Sequence, residues 1–227
     1  MIIALNNKCH FNKEEFINYL EELSTINTKN KVILCPTFLN IPLFNNESID
    51  LGAQDVSCTN NGSYTGEISA RDLKSFDVKY TIVGHSERRK NQKETNEEIT
   101  LKVKELLSND ITPILCVGET KEEKGYAKEV IRKQLENILN IENKNRIIIA
   151  YEPVWSIGTG ILPENNEIEE MITYIKELLP NNYVLYGGSV SDENIDNLNS
   201  ISSIDGYLIG GLSLKVDKLK NLINKCN

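Results

Sequence analysis

Residues 147–153 have the sequence Ile-Ile-Ile-Ala-Tyr-Glu-Pro, in which five apolar residues are followed by an acidic residue and a proline. An apolar run without polar alternation is typical of a strand that is buried on both faces of a parallel sheet. Including this one, eight short apolar runs occur along the chain, and most of them are equally continuous. They are Ile2–Leu5, Val32–Cys35, Ile49–Ala53, Tyr80–Val83, Thr112–Val117, Ile147–Tyr151, Tyr183–Tyr186 and Tyr207–Ile209.

The segments between these runs carry the spacing of amphipathic helices. Phe16, Leu20 and Leu23 fall on one helix face, because residues three and four positions apart lie on the same side of a helix. Thr95 and Glu98 predict a capping box at the start of another helix. Only short helices are expected in the segments after residues 36 and 66. Similar apolar faces are formed by Ile99, Val103 and Leu106, by Ile131, Leu135 and Ile138, and by Ile168, Met171, Ile172 and Ile175.

The alternation of strands and helices predicts a parallel sheet, and eight units favour closure into an α/β (β/α)₈ barrel, known as the TIM barrel. An open, doubly wound sheet is the alternative that the pattern leaves open. No linker or low-complexity segment divides the 227 residues, so residues 1–227 are predicted to form a single domain.

The net charge of −8 argues against nucleic acid or an anionic membrane as a partner, because both require a basic face. No apolar run approaches the roughly 18 residues of a membrane-spanning helix. The five cysteines include no C-x-x-C pair, which argues against a disulfide framework or a zinc site and favours a reducing, cytoplasmic location. Cys35 and Cys116 close apolar runs and are expected to be buried thiols.

In a barrel of this kind, chemistry belongs to residues that directly follow the strands. His85 follows one run and Glu152 another, while Asn6 and Lys8 follow the first. Burial would raise the pKa of Glu152 and make it a better base, whereas a helix start after His85 would favour a neutral imidazole. The alternatives are a core or surface histidine, a buried ion-pair partner and a surface lysine.

Glycine-rich turns follow the last three runs. Residues 155–160 contain Gly158 and Gly160 and suggest a mobile loop that excludes water. Ser189 follows a glycine pair after the seventh run, and Gly210 and Gly211 follow the eighth. Glycine-rich turns at the last two strands of a barrel are typical of a phosphate-binding site.

Two motifs carry a family resemblance. Residues 84–89 read Gly-His-Ser-Glu-Arg-Arg and residues 150–155 read Ala-Tyr-Glu-Pro-Val-Trp. With these motifs, the chain resembles the triosephosphate isomerase family over essentially its whole length. Further matches, in order, are Asn6-x-Lys8, Gly52–Asp55, Asn61–Glu67, Cys116–Glu119, Ile157–Gly160, Tyr186–Val190 and Gly210-Gly211.

The resemblance implies an enzyme that interconverts dihydroxyacetone phosphate and glyceraldehyde 3-phosphate, in glycolysis and gluconeogenesis, without a metal or cofactor. It makes Glu152 the base that moves a carbon-bound proton and neutral His85 the residue that moves protons between oxygens. Lys8 would stabilise the negative charge. The remaining roles fall to Asn6 as a substrate contact, to the amides of Gly158, Ser189, Gly210 and Gly211 as phosphate ligands, to Ile157 and Leu208 as an apolar clamp, and to Glu94 as the carboxylate behind Lys8.

The resemblance also implies a homodimer, in which Thr65 at the tip of residues 59–67 supports the active site of the second subunit. The chain departs from the family pattern at Asn7, where an aromatic residue is usual, and after Gly160, where the loop end is shorter and more apolar. Two other functions fit these residues less well. A phosphate-binding barrel of amino-acid biosynthesis would lack this lysine, histidine and glutamate, and a non-catalytic relative would have lost at least one of them.

Overall fold

A computed structural model describes residues 1–226 and contains one closed barrel of parallel strands. The strands pair in sequence order, and β8 returns to pair with β1. The predicted barrel is therefore confirmed and the open sheet is wrong. The strands are β1 Ile2–Asn6, β2 Lys31–Cys35, β3 Asp50–Ala53, β4 Tyr80–Val83, β5 Thr112–Val117, β6 Ile148–Tyr151, β7 Val184–Tyr186 and β8 Gly206–Ile209.

Helices cover the outside of the barrel. The capping box of Thr95 and Glu98 is present, and the predicted apolar faces are buried. Ile138 is buried as expected but lies in a 3₁₀ turn beyond α5. No helix within residues 1–226 combines the length and apolar character needed to cross a membrane. The α-helices are α1 Lys13–Leu23, α2 Ala70–Ser75, α3 Ser86–Asn91, α4 Asn96–Ser108, α5 Ala127–Leu135, α6 Asn165–Leu178, α7 Ile195–Leu198 and α8 Val216–Lys225.

The connection after β2 contains a 3₁₀ helix, Phe38–Leu43, in place of an α-helix, and Pro42 lies inside it. Proline removes a backbone N–H donor, which limits how far a regular helix can extend there. The short helix expected after residue 36 is therefore present in 3₁₀ form, and that expected after residue 66 is α2.

The core has two layers. One layer lies between the sheet and the helices, and the other fills the inside of the barrel with residues such as Ile33, Ile82 and Ile114. All five cysteines are free thiols, and Cys35 and Cys116 are buried as predicted. The inner layer closes the barrel interior, so that ligands meet it only at its ends.

Gly206 lies where the last strand meets the first and leaves no room for a side chain. It pairs in register with Ile2 of β1. A Cβ atom added at Gly206 would lie 1.9 Å from the backbone oxygen of Ile2. Because this neighbour is backbone in the first strand, it cannot move aside as a flexible side chain could.

We therefore predict that Gly206→Ala destabilises the fold by about 3 kcal/mol, the upper end of the usual cost of overpacking. Gly125 is the matched control, because a Cβ atom there would meet no atom within 4 Å. Gly125→Ala should change the free energy of unfolding by no more than about 0.5 kcal/mol. Urea denaturation of the two variants measures both values, and equal midpoints would contradict the prediction.

Candidate active site

Most of the sequence-predicted residues, but not Glu94 or Thr65, meet in a cavity of about 480 Å³ at the carboxyl ends of the strands. Lys8 follows β1, His85 follows β4 and Glu152 follows β6, so three separate strands bring them to the same end of the barrel. Parallel strands produce this arrangement because all their carboxyl ends face the same way. The cavity is also lined by Asn6, Ile157, Gly158, Ser189, Leu208, Gly210 and Gly211.

His85 and Glu152 face each other inside this cavity. Glu152 is only 2% exposed, and its Oε1 lies 3.2 Å from Nε2 of His85. Its other oxygen, Oε2, accepts a hydrogen bond of 3.3 Å from the backbone N–H of Ser86. Gly118 allows the glutamate backbone to sit here, because a Cβ atom on Gly118 would lie 1.7 Å from the Glu152 carbonyl oxygen. The base is therefore held by groups from three strand ends.

The other imidazole nitrogen fixes the orientation of His85. His85 is the N-cap of α3, and its Nδ1 accepts a hydrogen bond of 3.2 Å from the backbone N–H of Glu87. A nitrogen that accepts a hydrogen bond carries no proton in that tautomer. The ring proton of a neutral His85 therefore lies on Nε2, which points towards Glu152.

The pKa values of this pair reflect two opposing effects. Burial is the largest single effect on Glu152 and raises its pKa, but the charge and hydrogen bond of His85 and the Ser86 amide outweigh it, so the pKa is lowered. Burial likewise lowers the pKa of His85, and the Glu152 carboxylate more than offsets it, so the pKa is raised. We expected a raised pKa for Glu152 and a neutral imidazole. In the structure both pKa directions are the opposite, because the two side chains are in contact.

Lys8 has a strained but well-supported backbone. Its φ of 51° lies in the left-handed region, where residues other than glycine are uncommon. The side-chain oxygen of Asn6 accepts the Lys8 N–H at 3.0 Å, and Gln54 Nε2 donates to the Lys8 carbonyl at 2.8 Å. The Lys8 ammonium lies 2.5 Å from Oε1 of Glu87. These contacts fix the direction in which the lysine enters the cavity.

Asn7, which stands where the family usually has an aromatic residue, is buried. It is 1% exposed, and its Nδ2 donates to Ser213 Oγ at 3.3 Å and to the Tyr19 hydroxyl at 3.4 Å. Its neighbour Ser213 also donates to the Asn6 carbonyl at 3.3 Å. The Asn7 side-chain amide therefore links the chain next to Lys8 to α1 and to the turn after β8.

Glu94 does not occupy the position expected from the sequence. Its Oε1 lies 2.5 Å from Nζ of Lys102 and 2.5 Å from Nε of Arg88, and Lys102 also pairs with Asp55 at 2.7 Å. The carboxylate beside Lys8 is Glu87 instead. The difference arises because Glu94 lies after α3 and faces Lys102 of α4, whereas Glu87 is in the first turn of α3 at the cavity.

The loop of residues 155–161 is fastened to the turn after β7. Ser156, which is fully buried, accepts the Ser189 N–H at 3.2 Å and donates to the Ile161 carbonyl at 2.6 Å. Ser189 Oγ donates to the Ser156 carbonyl at 2.7 Å and accepts the Gly160 N–H at 3.1 Å. Sequence reasoning missed Ser156, since a serine inside a glycine-rich loop carries no distinctive signal. Gly158 has a φ of +69°, so the loop here uses a backbone conformation that suits glycine.

The base of this loop has its own polar anchor. Glu119 is 2% exposed and accepts hydrogen bonds from Trp155 Nε1 at 2.9 Å and from the Tyr151 hydroxyl at 3.2 Å. The Lys124 ammonium lies 4.6 Å from the centroid of the Trp155 ring. The indole is therefore held at its N–H and over its face.

Thr65 lies outside this cavity. It belongs to residues 59–67, and the stretch from Asn60 to Glu67 is exposed, including the Tyr64 ring at 52%. Within one chain, Thr65 therefore contributes nothing to the site that His85 and Glu152 form.

Comparison with known proteins identifies the family of this chain. The family model for triosephosphate isomerase matches residues 1–226. A triosephosphate isomerase of Mycoplasmopsis pulmonis is 40% identical over 96% of this chain and 93% of that protein. Those of Wolbachia sp. subsp. Brugia malayi and Prochlorococcus marinus strain MIT 9515 are 40% and 39% identical, with at least 97% of each chain covered. The chain therefore belongs to the triosephosphate isomerase family.

Proposed function

We propose that Glu152, His85 and Lys8 carry out in this chain the isomerisation of its family, the interconversion of dihydroxyacetone phosphate and glyceraldehyde 3-phosphate. The ionised Glu152 removes a proton from the carbon next to the carbonyl group, while His85 Nε2–H donates to the carbonyl oxygen. The Lys8 ammonium stabilises the negative charge of the enediolate. Glu152 then returns its proton to the neighbouring carbon, and His85 recovers its own from the other oxygen. The reaction is balanced without a cofactor.

The observation that carries this proposal is the contact of 3.2 Å between Glu152 Oε1 and His85 Nε2 in a cavity that also contains Lys8. A substrate bound between the two side chains would separate them. Glu152 would then lose the partner that lowers its pKa, and burial would make it a stronger base. His85 would lose the charge that raises its pKa and would be neutral, as a proton donor to a carbonyl requires.

The glycine-rich turns support a phosphate site at the other side of the cavity. Gly210 and Gly211 open the 3₁₀ turn after β8, and the Gly210 Cβ position would lie 3.3 Å from the Lys8 side chain. Backbone amides at such turns bind phosphate oxygens and carry no side chain that would block them. Ile157 and Leu208 line the same cavity and would exclude water from Glu152 when the loop closes. Gly158 and Ser189 would supply the remaining amides.

We further propose that the enzyme is a homodimer of the cytoplasm. A cavity of about 340 Å³ opens beside Lys8, Cys9 and Glu87, next to the active site, and is large enough to receive a loop tip. The exposed loop of residues 59–67, with Thr65 in it, is a suitable occupant from a second subunit, because docking would compensate the cost of ordering it. The five free thiols support a reducing compartment.

The first test is turnover. The purified protein should convert glyceraldehyde 3-phosphate in an assay coupled to a dehydrogenase for the product. Glu152→Asp shortens the base by one methylene and should lower kcat by about 100-fold, because a misplacement of about 1 Å has this effect. The exposed Glu136 on the outer surface gives the control Glu136→Asp, which should retain full activity. No turnover by the native protein would overturn the proposal.

The second test is the pH dependence of kcat/KM, which reports groups in the free enzyme. His85→Gln removes the largest effect that lowers the pKa of Glu152 and leaves only the smaller effects of the Ser86 amide and Cys116 against burial, so this pKa should rise. The base stays ionised only above its pKa, so the acid limb of the profile should move to higher pH. The exposed His10 provides the control His10→Gln, for which the limb should stay in place. An acid limb that moves to lower pH in His85→Gln would contradict the assignment.

The third test addresses the dimer. Thr65→Arg adds bulk and charge at the loop tip and should shift the protein towards a monomer in light scattering at micromolar concentration. Activity per chain should fall by about tenfold or more if the loop positions the partner's Lys8 and His85. Thr173→Arg on the exposed side of α6 is the matched control and should change neither property. A monomer with full activity would refute the role given to Thr65.

A further inference from the structure

A second large cavity lies at the opposite end of the barrel from the active site. Its volume is about 500 Å³, close to the 480 Å³ of the active-site cavity. It is lined by residues at the amino-terminal starts of the strands, among them Ile2, Tyr80, Thr112 and Ile148. The proposed isomerisation uses none of these residues.

Three cations line this cavity, which we call the basic cavity: Lys29, Lys31 and Arg146. Within residues 1–226, no carboxylate lies at salt-bridge distance from Lys29 or Lys31. The Lys31 ammonium donates to the Tyr80 hydroxyl at 3.2 Å. Among the described residues, Arg146 has one ion pair, in which its Nη1 lies 3.2 Å from an oxygen of Asp110. A guanidinium has five N–H donors, so most of those on Arg146 are available to a ligand.

The acidic groups near the basic cavity are already used by other residues. Asp205 lines the cavity, but its Oδ2 pairs with Lys176 at 2.9 Å and accepts the Val184 N–H at 2.7 Å. Asp50, near Lys31, pairs with Lys79 at 2.7 Å. The cavity therefore keeps a local positive charge although the whole chain has a net charge of −8. Such local fields concentrate anions whatever the net charge of the protein.

We propose that the basic cavity binds a phosphate chain, that is, an anion with two or more linked phosphate groups. Two separate segments present the cations, with Lys29 and Lys31 just before and at the start of β2 and Arg146 before β6, and linked phosphate groups offer oxygens to both segments. Arginine and lysine are the usual ligands of phosphate oxygens in proteins. The chain is either free or part of a nucleotide, and the exposed Tyr183 ring, 60% accessible at the rim, offers a face on which a base could stack.

Calorimetric titration with tripolyphosphate and with ATP, both without magnesium and at low salt, tests this proposal. Binding should weaken at least about tenfold in Lys29→Glu/Lys31→Glu, because two attractive charges become repulsive. The matched control is Lys13→Glu/Lys104→Glu, which changes the net charge equally at exposed positions of α1 and α4. It should bind within about twofold of the native protein, since only long-range charge is altered.

The outcomes separate the possible ligands. Equal binding of ATP and tripolyphosphate supports a free phosphate chain, and tighter binding of ATP that is lost in Tyr183→Ala supports a nucleotide. Citrate, an anion without phosphate, should bind more weakly than either. The proposal is overturned if neither phosphate compound binds, if citrate binds as tightly, or if binding is unchanged in the lysine variant.

The isomerase activity checks that the variants are folded. The basic cavity and the active site lie at opposite ends of the barrel, so kcat/KM for glyceraldehyde 3-phosphate should stay within about twofold in Lys29→Glu/Lys31→Glu. If that variant is misfolded, Lys29→Gln/Lys31→Gln removes the charges without introducing repulsion, and the same loss of binding is required of it. A failure of the isomerase assay in the native protein would bear on the active site and leave the titration result unaffected.

Discussion

The pairing of β1 with β8 is the constraint on which the other features depend. It joins the first and last strands through backbone hydrogen bonds, and it removes the open edges that a flat sheet would have. Ile2 and Gly206 approach too closely there for any side chain on residue 206. Closure directs the carboxyl ends of β1, β4 and β6 towards one another, and so it creates the contact between His85 and Glu152.

Much of the fold could be read from the sequence because the decisive signals were local. Most strands are largely apolar runs, and the structure moves the predicted ends by one residue or none. The predictions that were wrong concern which way a side chain points in the folded protein. Glu87 and Glu94 are both acidic and close in sequence, and only the path of α3 shows which of them faces Lys8. The pKa of Glu152 was misjudged for the same reason, since its contact with His85 joins residues 67 positions apart in the chain.

Buried polar residues were the hardest to predict. Asn7 and Ser156 are almost completely buried, and each forms a hydrogen bond with a residue distant in sequence. Their burial would be unfavourable without those partners. Neither lies in an apolar pattern that would mark it as a core residue. The two ends of the barrel differ in this respect. The active-site end is assembled from such long-range polar contacts, whereas Lys29 and Lys31 in the basic cavity form no salt bridge within residues 1–226.

The hydrogen bond from the Ser189 amide to Ser156 Oγ has a consequence for ligand binding. In the proposed phosphate site, the Ser189 amide must give up Ser156 before it can bind a phosphate oxygen. The loop would then compete with the substrate, and part of the binding free energy would be used to displace it. The same serine would compete with the product, so this hydrogen bond would lower the affinity for both ligands.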